Sequence, residues 1–301
     1  KEGYMLPVTV TGALIDGFTL PINYKMPIAS AQVKSAIILA ALTARGTSSV
    51  LETKETRDST ESMLKEFGAE IKVEKNKKGE SKIFVSGSSF IKANNIKVPG
   101  DPSSAAFIVV AALITKKSSI LIKDVFYNKF RLKVFDVLKK MGANIKIIKN
   151  KDKQYCDIFA KYSKLKNIKI NTKLNSSLID EFPILSVAAA SAKGEMVMKN
   201  LDELRYKESD RLKAISEGLE MCGVKIQNVN NDLNIFGNKS VVGGCVIKAN
   251  NDHRIAMAFN ILSLITKKPI IVIGNKSIQT SFPNFFEVLS GLGARVKRKY
   301  D

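Results

Sequence analysis

The stretch Met141-Gly142-Ala143-Asn144-Ile145 closes one amphipathic run and opens an alternating one. Glycine suits the left-handed residue just past a helix end, because it has no Cβ to clash. The small residue and the alternation that follow predict a strand with one buried face. The same phrase stands at Gly68-Ala69-Glu70-Ile71, Gly223-Val224-Lys225-Ile226 and Gly293-Ala294-Arg295-Val296. The interval is roughly 70–80 residues, and four copies in register predict an internal repeat.

Outward from each glycine the units keep matching. An amphipathic helix precedes it, a short strand precedes that, and an Ala-rich apolar run comes first. These runs are Val33–Leu42, Ala105–Ile114, the segment from Phe182 to Ala192, and Ile255–Leu264. A helix apolar nearly all round is a buried helix. The four are expected to begin at Ser30 (or Ala31), Asp101, Asp180 and Asp252, all but Ala31 good cap types, with Pro102 at the favoured first helical position. The reading is an α/β chain of repeated βαβαββ units, one buried and one amphipathic helix in each. Such units cannot bury their faces alone and must pack together. Short strands are expected within residues 6–24, Leu6–Val10 among them. A boundary near Lys97–Gly100 gives residues 1–99 one unit and residues 100–301 three. The abrupt start, almost inside a strand, suggests sequence upstream that is not present here.

Composition narrows the function. The 301 residues are 45% hydrophobic, enough for a real core, and no apolar run reaches the ~18 residues of a membrane span. Cys156, Cys222 and Cys245 have neither metal nor disulfide spacing, as in a reduced, cytoplasmic protein. His253 is the sole histidine, which excludes a His-rich metal site. The net charge of +20 invites a nucleic-acid reading, which would bring steep salt dependence. The lysines are evenly spread, however, and the stacking aromatics of such modules are missing. Only eight arginines occur, several of them at turns. Arginine is the better choice where a planar clamp on carboxylate or phosphate is needed, so the charge fits small anionic substrates.

Charge is densest at Asp202-Glu203-Leu204-Arg205-Tyr206-Lys207-Glu208-Ser209-Asp210-Arg211, a strand-to-helix turn. In α/β proteins such turns carry the chemistry. Ser209 or Glu208 is expected to cap the helix, with Glu208 and Arg211 on one face of its first turn. If the buried helices start around one axis, their free N–H groups form an anion site. Arg57, Lys207, Arg211 and Arg254 add charge to it, and Asp180 and Glu208 are the acid–base candidates. Blander roles also exist: Asp180 as a plain cap, Arg254 paired with Asp252 or a neighbouring carboxylate, Gln32 as an ordinary helix-start residue.

Seven motifs in order carry a resemblance. They are Met26–Ser35, Thr56-Arg57-Asp58, Gly100–Phe107, Asp180–Pro183, Asp202–Arg211, Asp252–Met257 and Ser281-Phe282-Pro283. Together they resemble the 5-enolpyruvylshikimate-3-phosphate synthases, the class II bacterial type in particular. The resemblance implies the enolpyruvyl transferase fold, two domains of three βαβαββ units each. Roughly the first third of that family's sequence has no counterpart here. It implies a chain that is a fragment, an inactive remnant, or one partner of a separate N-terminal segment.

By the same resemblance the activity is transfer of the enolpyruvyl group of phosphoenolpyruvate to the 5-hydroxyl of shikimate 3-phosphate, without metal or cofactor. Ser30, Ala31 and Gln32 would contact shikimate 3-phosphate, Gln32 also lying near phosphoenolpyruvate. Arg57 would bind an anionic group of shikimate 3-phosphate, and Lys207 its hydroxyls or phosphate. Asp180 would take the 5-hydroxyl proton, and Glu208 would shuttle the proton of the methylene carbon. Arg211 and Arg254 would clamp phosphoenolpyruvate. Thr280 stands where many relatives have a lysine, so no contact is assigned there. UDP-N-acetylglucosamine enolpyruvyl transferase shares the fold and chemistry; the Lys-Glu-Ser-Asp-Arg and Asp-His-Arg motifs favour the shikimate enzyme.

Overall fold

The structure is a computed structural model that describes residues 9, 12, 19–77, 79–87, 90–150, 154–237 and 240–297. Apart from Thr9, the expected strand Leu6–Val10 lies outside them. The chain forms two compact units that divide between Lys97 and Val98.

The first unit runs β1 (Asn23–Lys25), α1 (Ala31–Ala41), β2 (Thr47–Glu52), α2 (Ser59–Glu66), β3 (Ile71–Lys75) and β4 (Ser81–Ser86). Its sheet has the order β1-β2-β4-β3, with β1 parallel to β2 and the other pairs antiparallel. Ile38, Val50, Leu64, Ile83 and Val85 form its core. Helix α1 is apolar nearly all round, yet in this unit only one side is covered. Val33 and Leu39 remain 41% and 49% exposed. A single sheet buries one face of a helix, not both.

The second unit runs in three successive segments. The first is α3 (Pro102–Ile114), β5 (Ser119–Phe126), α4 (Lys133–Lys140), β6 (Asn144–Lys149) and β7 (Tyr155–Lys161). The next is α5 (Asn175–Leu178), α6 (Phe182–Ser191), β8 (Gly194–Met198), α7 (Arg211–Met221), β9 (Lys225–Val229) and β10 (Asp232–Gly237). The last is β11 (Val241–Gly243), β12 (Val246–Lys248), α8 (His253–Leu262), β13 (Thr266–Lys268), β14 (Ile271–Ile273) and α9 (Phe285–Gly291). The first two have antiparallel sheets, β5-β7-β6 and β8-β10-β9, entered by isolated parallel bridges in place of a full opening strand. The last has two parallel pairs, β11 with β13 and β12 with β14.

The helix-ending glycines behave as the repeat predicts. Gly68, Gly142, Gly223 and Gly293 have φ of +88°, +91°, +81° and +98°. Ala294-Arg295-Val296 is a correction: residues 294–297 form no strand and pair with none of the described strands, and the Ala294 N–H donates back to the Leu289 carbonyl at 2.9 Å.

Helices α3, α6 and α8 pack against one another at the centre of this unit. All residues of α3 but Ser104 are buried. Helix α7 closes on α8 at Gly218, where a Cβ would lie 2.2 Å from the Phe259 ring. A bulge in β5 sets the start of α3. Asp124 takes φ +56°, and the Gly100 N–H donates to its carbonyl at 2.8 Å. Asp101 is thereby fixed at the end of the sheet.

Candidate active site

The starts of α3, α6 and α8 differ in what caps them. Asp101 accepts the Ser104 N–H at 2.8 Å, and Asp252 accepts those of Arg254 and Ile255 at 2.9 and 3.4 Å. Asp180 is a correction. Helix α6 begins two residues later, after Glu181, and the Asp180 carboxylate turns to two arginines instead. Arg211 Nη1 donates to it at 3.2 Å, and Arg254 Nη2 lies 3.6 Å from it. Arg254 therefore pairs with Asp180 rather than Asp252, and its Nη1 also donates to the Asp180 carbonyl at 3.2 Å. Its Nε is buried without a partner.

The turn before α7 is built around Arg205. This side chain holds Asn231, the Asn230 carbonyl and Asp210 at 2.7–3.0 Å. Asp210 then caps α7 by accepting the Lys213 N–H at 2.9 Å, in place of the expected Ser209 or Glu208. Ser209 is drawn off because its hydroxyl donates to Asp252 at 3.1 Å. Helix α7 begins only at Arg211, so Glu208 lies before the helix and not on its first turn, yet it still pairs with Arg211. Lys207 pairs with Glu203 at 2.6 Å.

Arg211 is the hub. It is fully buried, yet it donates to Asp252 through Nε at 2.8 Å, to Asp180 through Nη1 and to Glu208 through Nη2. Burial works against its charge, but Asp252, Glu208 and Asp180 outweigh this and raise its pKa. The guanidinium stays charged and is saturated with carboxylates. An arriving anion can reach it only by displacing one, and Glu208 is the most exposed of the three.

A second network lies beside the first. Arg131, just before α4, donates to Asp101 at 2.5 Å and to Ser103 at 2.8 Å, and Ser103 donates to Glu181 at 2.5 Å. None of these contacts is visible in the sequence motifs. Burial opposes ionisation of Asp101, but Arg131, the Ser104 N–H and Arg254 together lower its pKa below the ordinary 3.8. Burial dominates at Glu181 and raises its pKa above 4.5, despite Ser103 and Arg254. His253 lies between Asp252 and Arg254, and burial and then Arg254 lower its pKa.

The raised Glu181 pKa has a measurable sign. A carboxyl with a raised folded pKa contributes stability at low pH that is lost as pH rises from its ordinary value through the folded one. Glu181→Gln keeps an oxygen for Ser103 and cannot ionise. Its stability relative to wild type should therefore rise with pH above about 4.5. Urea titrations across that range check this, and a constant difference would contradict it.

In the first unit, the Ser30 hydroxyl caps α1 by accepting the Val33 N–H at 3.4 Å, and donates to Gln32 Oε1 at 3.3 Å. Ala31 opens the helix and Gln32 is exposed. Arg57 is half-buried in the loop between β2 and α2. The Ser281-Phe282-Pro283 motif lines an apolar groove of about 620 Å³ with Ile108, Ile120 and Val288; it reaches Asp101 but not Arg211 or Glu208.

Two solved structures define the class. An EPSP synthase from Acinetobacter baumannii superposes with a TM-score of 0.84 at 39% identity, over 92% of this chain and 64% of that one. The enolpyruvyl transferase NikO from Streptomyces tendae superposes at 0.72 with 15% identity, over 96% and 69%, a likeness of fold alone. The fold is that of the enolpyruvyl transferases.

The EPSP synthase (3-phosphoshikimate 1-carboxyvinyltransferase) family model matches residues 1–289, and the chain belongs to that family. It is 43% identical to a 3-phosphoshikimate 1-carboxyvinyltransferase of Chelativorans sp. (strain BNC1), over 99% of this chain and 67% of the relative. It is 42% identical to one of Brucella abortus biovar 1 (strain 9-941), over 98% and 66%. The chain thus spans about two thirds of the length of these curated relatives.

Proposed function

We propose that this chain carries the catalytic groups for moving the enolpyruvyl group of phosphoenolpyruvate onto the 5-hydroxyl of shikimate 3-phosphate, with release of phosphate. One observation carries the reading. Arg211 gathers Asp180, Glu208 and Asp252 at the starts of the buried helices, and Arg254 shares Asp180 with it. Enolpyruvyl transfer needs a base for the hydroxyl, an acid for the methylene carbon and dense positive charge for a carboxylate and a phosphate. The cluster has all three.

In this reading the carboxylate of phosphoenolpyruvate binds Arg211 and Arg254 and displaces Glu208. The freed Glu208 takes up a proton from solvent and delivers it to the methylene carbon while Asp180 takes the proton of the hydroxyl that attacks C2. The tetrahedral intermediate then loses phosphate, which leaves with the proton held by Asp180, and Glu208 recovers its own proton from the former methylene carbon. Lys207 leaves the exposed Glu203 to hold shikimate 3-phosphate. In the first unit, taken by itself, Ser30, Ala31, Gln32 and Arg57 are read as contacts for shikimate 3-phosphate. Residues 1–99 are read as one unit of a first domain and residues 100–301 as a three-unit domain.

Calorimetric titration with shikimate 3-phosphate tests the binding roles. Arg57→Ala and Lys207→Ala should each weaken it by about 1.5–3 kcal/mol, the usual cost of a charge-assisted contact. Unchanged affinity in both variants would remove these residues from the site.

A further inference from the structure

The first unit buries a charge cluster that the proposed chemistry does not use. Lys34 on α1 is 1% exposed and lies 3.3 Å from Glu52, at the end of β2, and 2.8 Å from Glu61, on α2. Both carboxylates are buried as well, and Glu61 Oε2 has no partner. Burying three charges is costly and is a weak source of stability. Well-packed apolar residues would serve the core as well, so position is the more telling property.

Glu52 shows what is being positioned. Both of its oxygens accept from Lys34, at 3.3 and 3.4 Å, and Oε1 also accepts the Thr56 backbone N–H at 2.6 Å. Thr56 immediately precedes Arg57. Lys34 is one turn into the helix that starts with Ser30, Ala31 and Gln32. A single carboxylate therefore ties that helix, through Lys34, to the backbone that carries Arg57. Residues 55 to 58 belong to no helix or strand.

We infer that Glu52, held by Lys34, is a positioning residue that presets Arg57 for an anionic substrate. This rests on the reading that Arg57 binds shikimate 3-phosphate. A preset arginine loses less freedom on binding, so the clamp acts on affinity through Arg57 and not by touching the ligand.

The test is a double-mutant cycle on the 301-residue chain, read as shikimate 3-phosphate affinity by calorimetry. Arg57→Ala should weaken binding about 10- to 100-fold. Glu52→Ala should weaken it about tenfold or more, and Glu52→Gln, which still offers an oxygen to the Thr56 N–H, should recover most of that loss. Arg57→Ala combined with Glu52→Ala should bind no worse than Arg57→Ala alone, because two residues acting through one contact are not additive. General loosening of the unit would instead give additive losses and no recovery with glutamine.

If Arg57→Ala binds normally, the reading of Arg57 fails and the inference goes with it. If Arg57→Ala weakens binding but Glu52→Ala does not, or the losses add, only the inference fails. A measurement on the wild type covers the case in which Glu52→Ala does not fold. The Thr56 amide should exchange with solvent at least tenfold more slowly than those of Lys54 and Glu55, and equal rates would overturn the clamp.

Discussion

Glu208→Gln should slow phosphate release by about 10²–10⁴-fold at saturating phosphoenolpyruvate and shikimate 3-phosphate, while changing their affinities far less. Glutamine keeps the shape and can still accept from Arg211, but it cannot deliver a proton to a vinyl carbon. The carboxylate sits just before α7, partly exposed, and is the member of the cluster an incoming anion can displace. Its pairing with Arg211 also offers a purely structural role. In that case Glu208→Gln would cost a little stability and leave the rate nearly intact. A rate within a few-fold of wild type, with normal exchange of solvent deuterium into the methylene group, would assign the proton to another residue.

Arg211→Met should destabilise the fold by about 3–5 kcal/mol, the cost of removing one partner from a buried ionic cluster. Asp252 is fully buried and would keep only Ser209 and two backbone N–H groups. Asp180 would retain Arg254. Urea unfolding measures the loss. A change below about 1 kcal/mol would mean that the carboxylates are rescued by water and that the hub is not integral to the fold. The same variant should lose phosphoenolpyruvate binding, so stability and binding fall together here and come apart in Glu208→Gln.

The contrast follows from burial, and burial is where the sequence was hardest to read. The glycines at 68, 142, 223 and 293 were legible because a left-handed residue after a helix selects against any Cβ. Asp101 and Asp252 were legible as caps for a similarly local reason. Asp180 was misread as a cap because arginines 31 and 74 residues away compete for its carboxylate. The cap of α7 slipped to Asp210 because Arg205 takes that carboxylate and Asp252 takes the Ser209 hydroxyl.

Arg211 was legible as part of an anion site, but its complete burial depends on Asp180 and Asp252, 31 and 41 residues away, as well as on nearby Glu208. The Arg131–Ser103–Glu181 network left no local signal at all, since Ser103 and Glu181 stand 78 residues apart. Local conformation leaves marks on neighbouring residues, whereas a polar network depends on how repeats pack.

The central claim is that the cluster around Arg211 moves an enolpyruvyl group to a shikimate hydroxyl. The most direct measurement is product formation from phosphoenolpyruvate with shikimate 3-phosphate and, separately, with UDP-N-acetylglucosamine, followed by mass spectrometry and phosphate assay. The expected result is an enolpyruvyl ether of shikimate 3-phosphate, one phosphate per ether formed, and no product from the sugar nucleotide. Transfer to UDP-N-acetylglucosamine, or phosphate released without any ether, would contradict it.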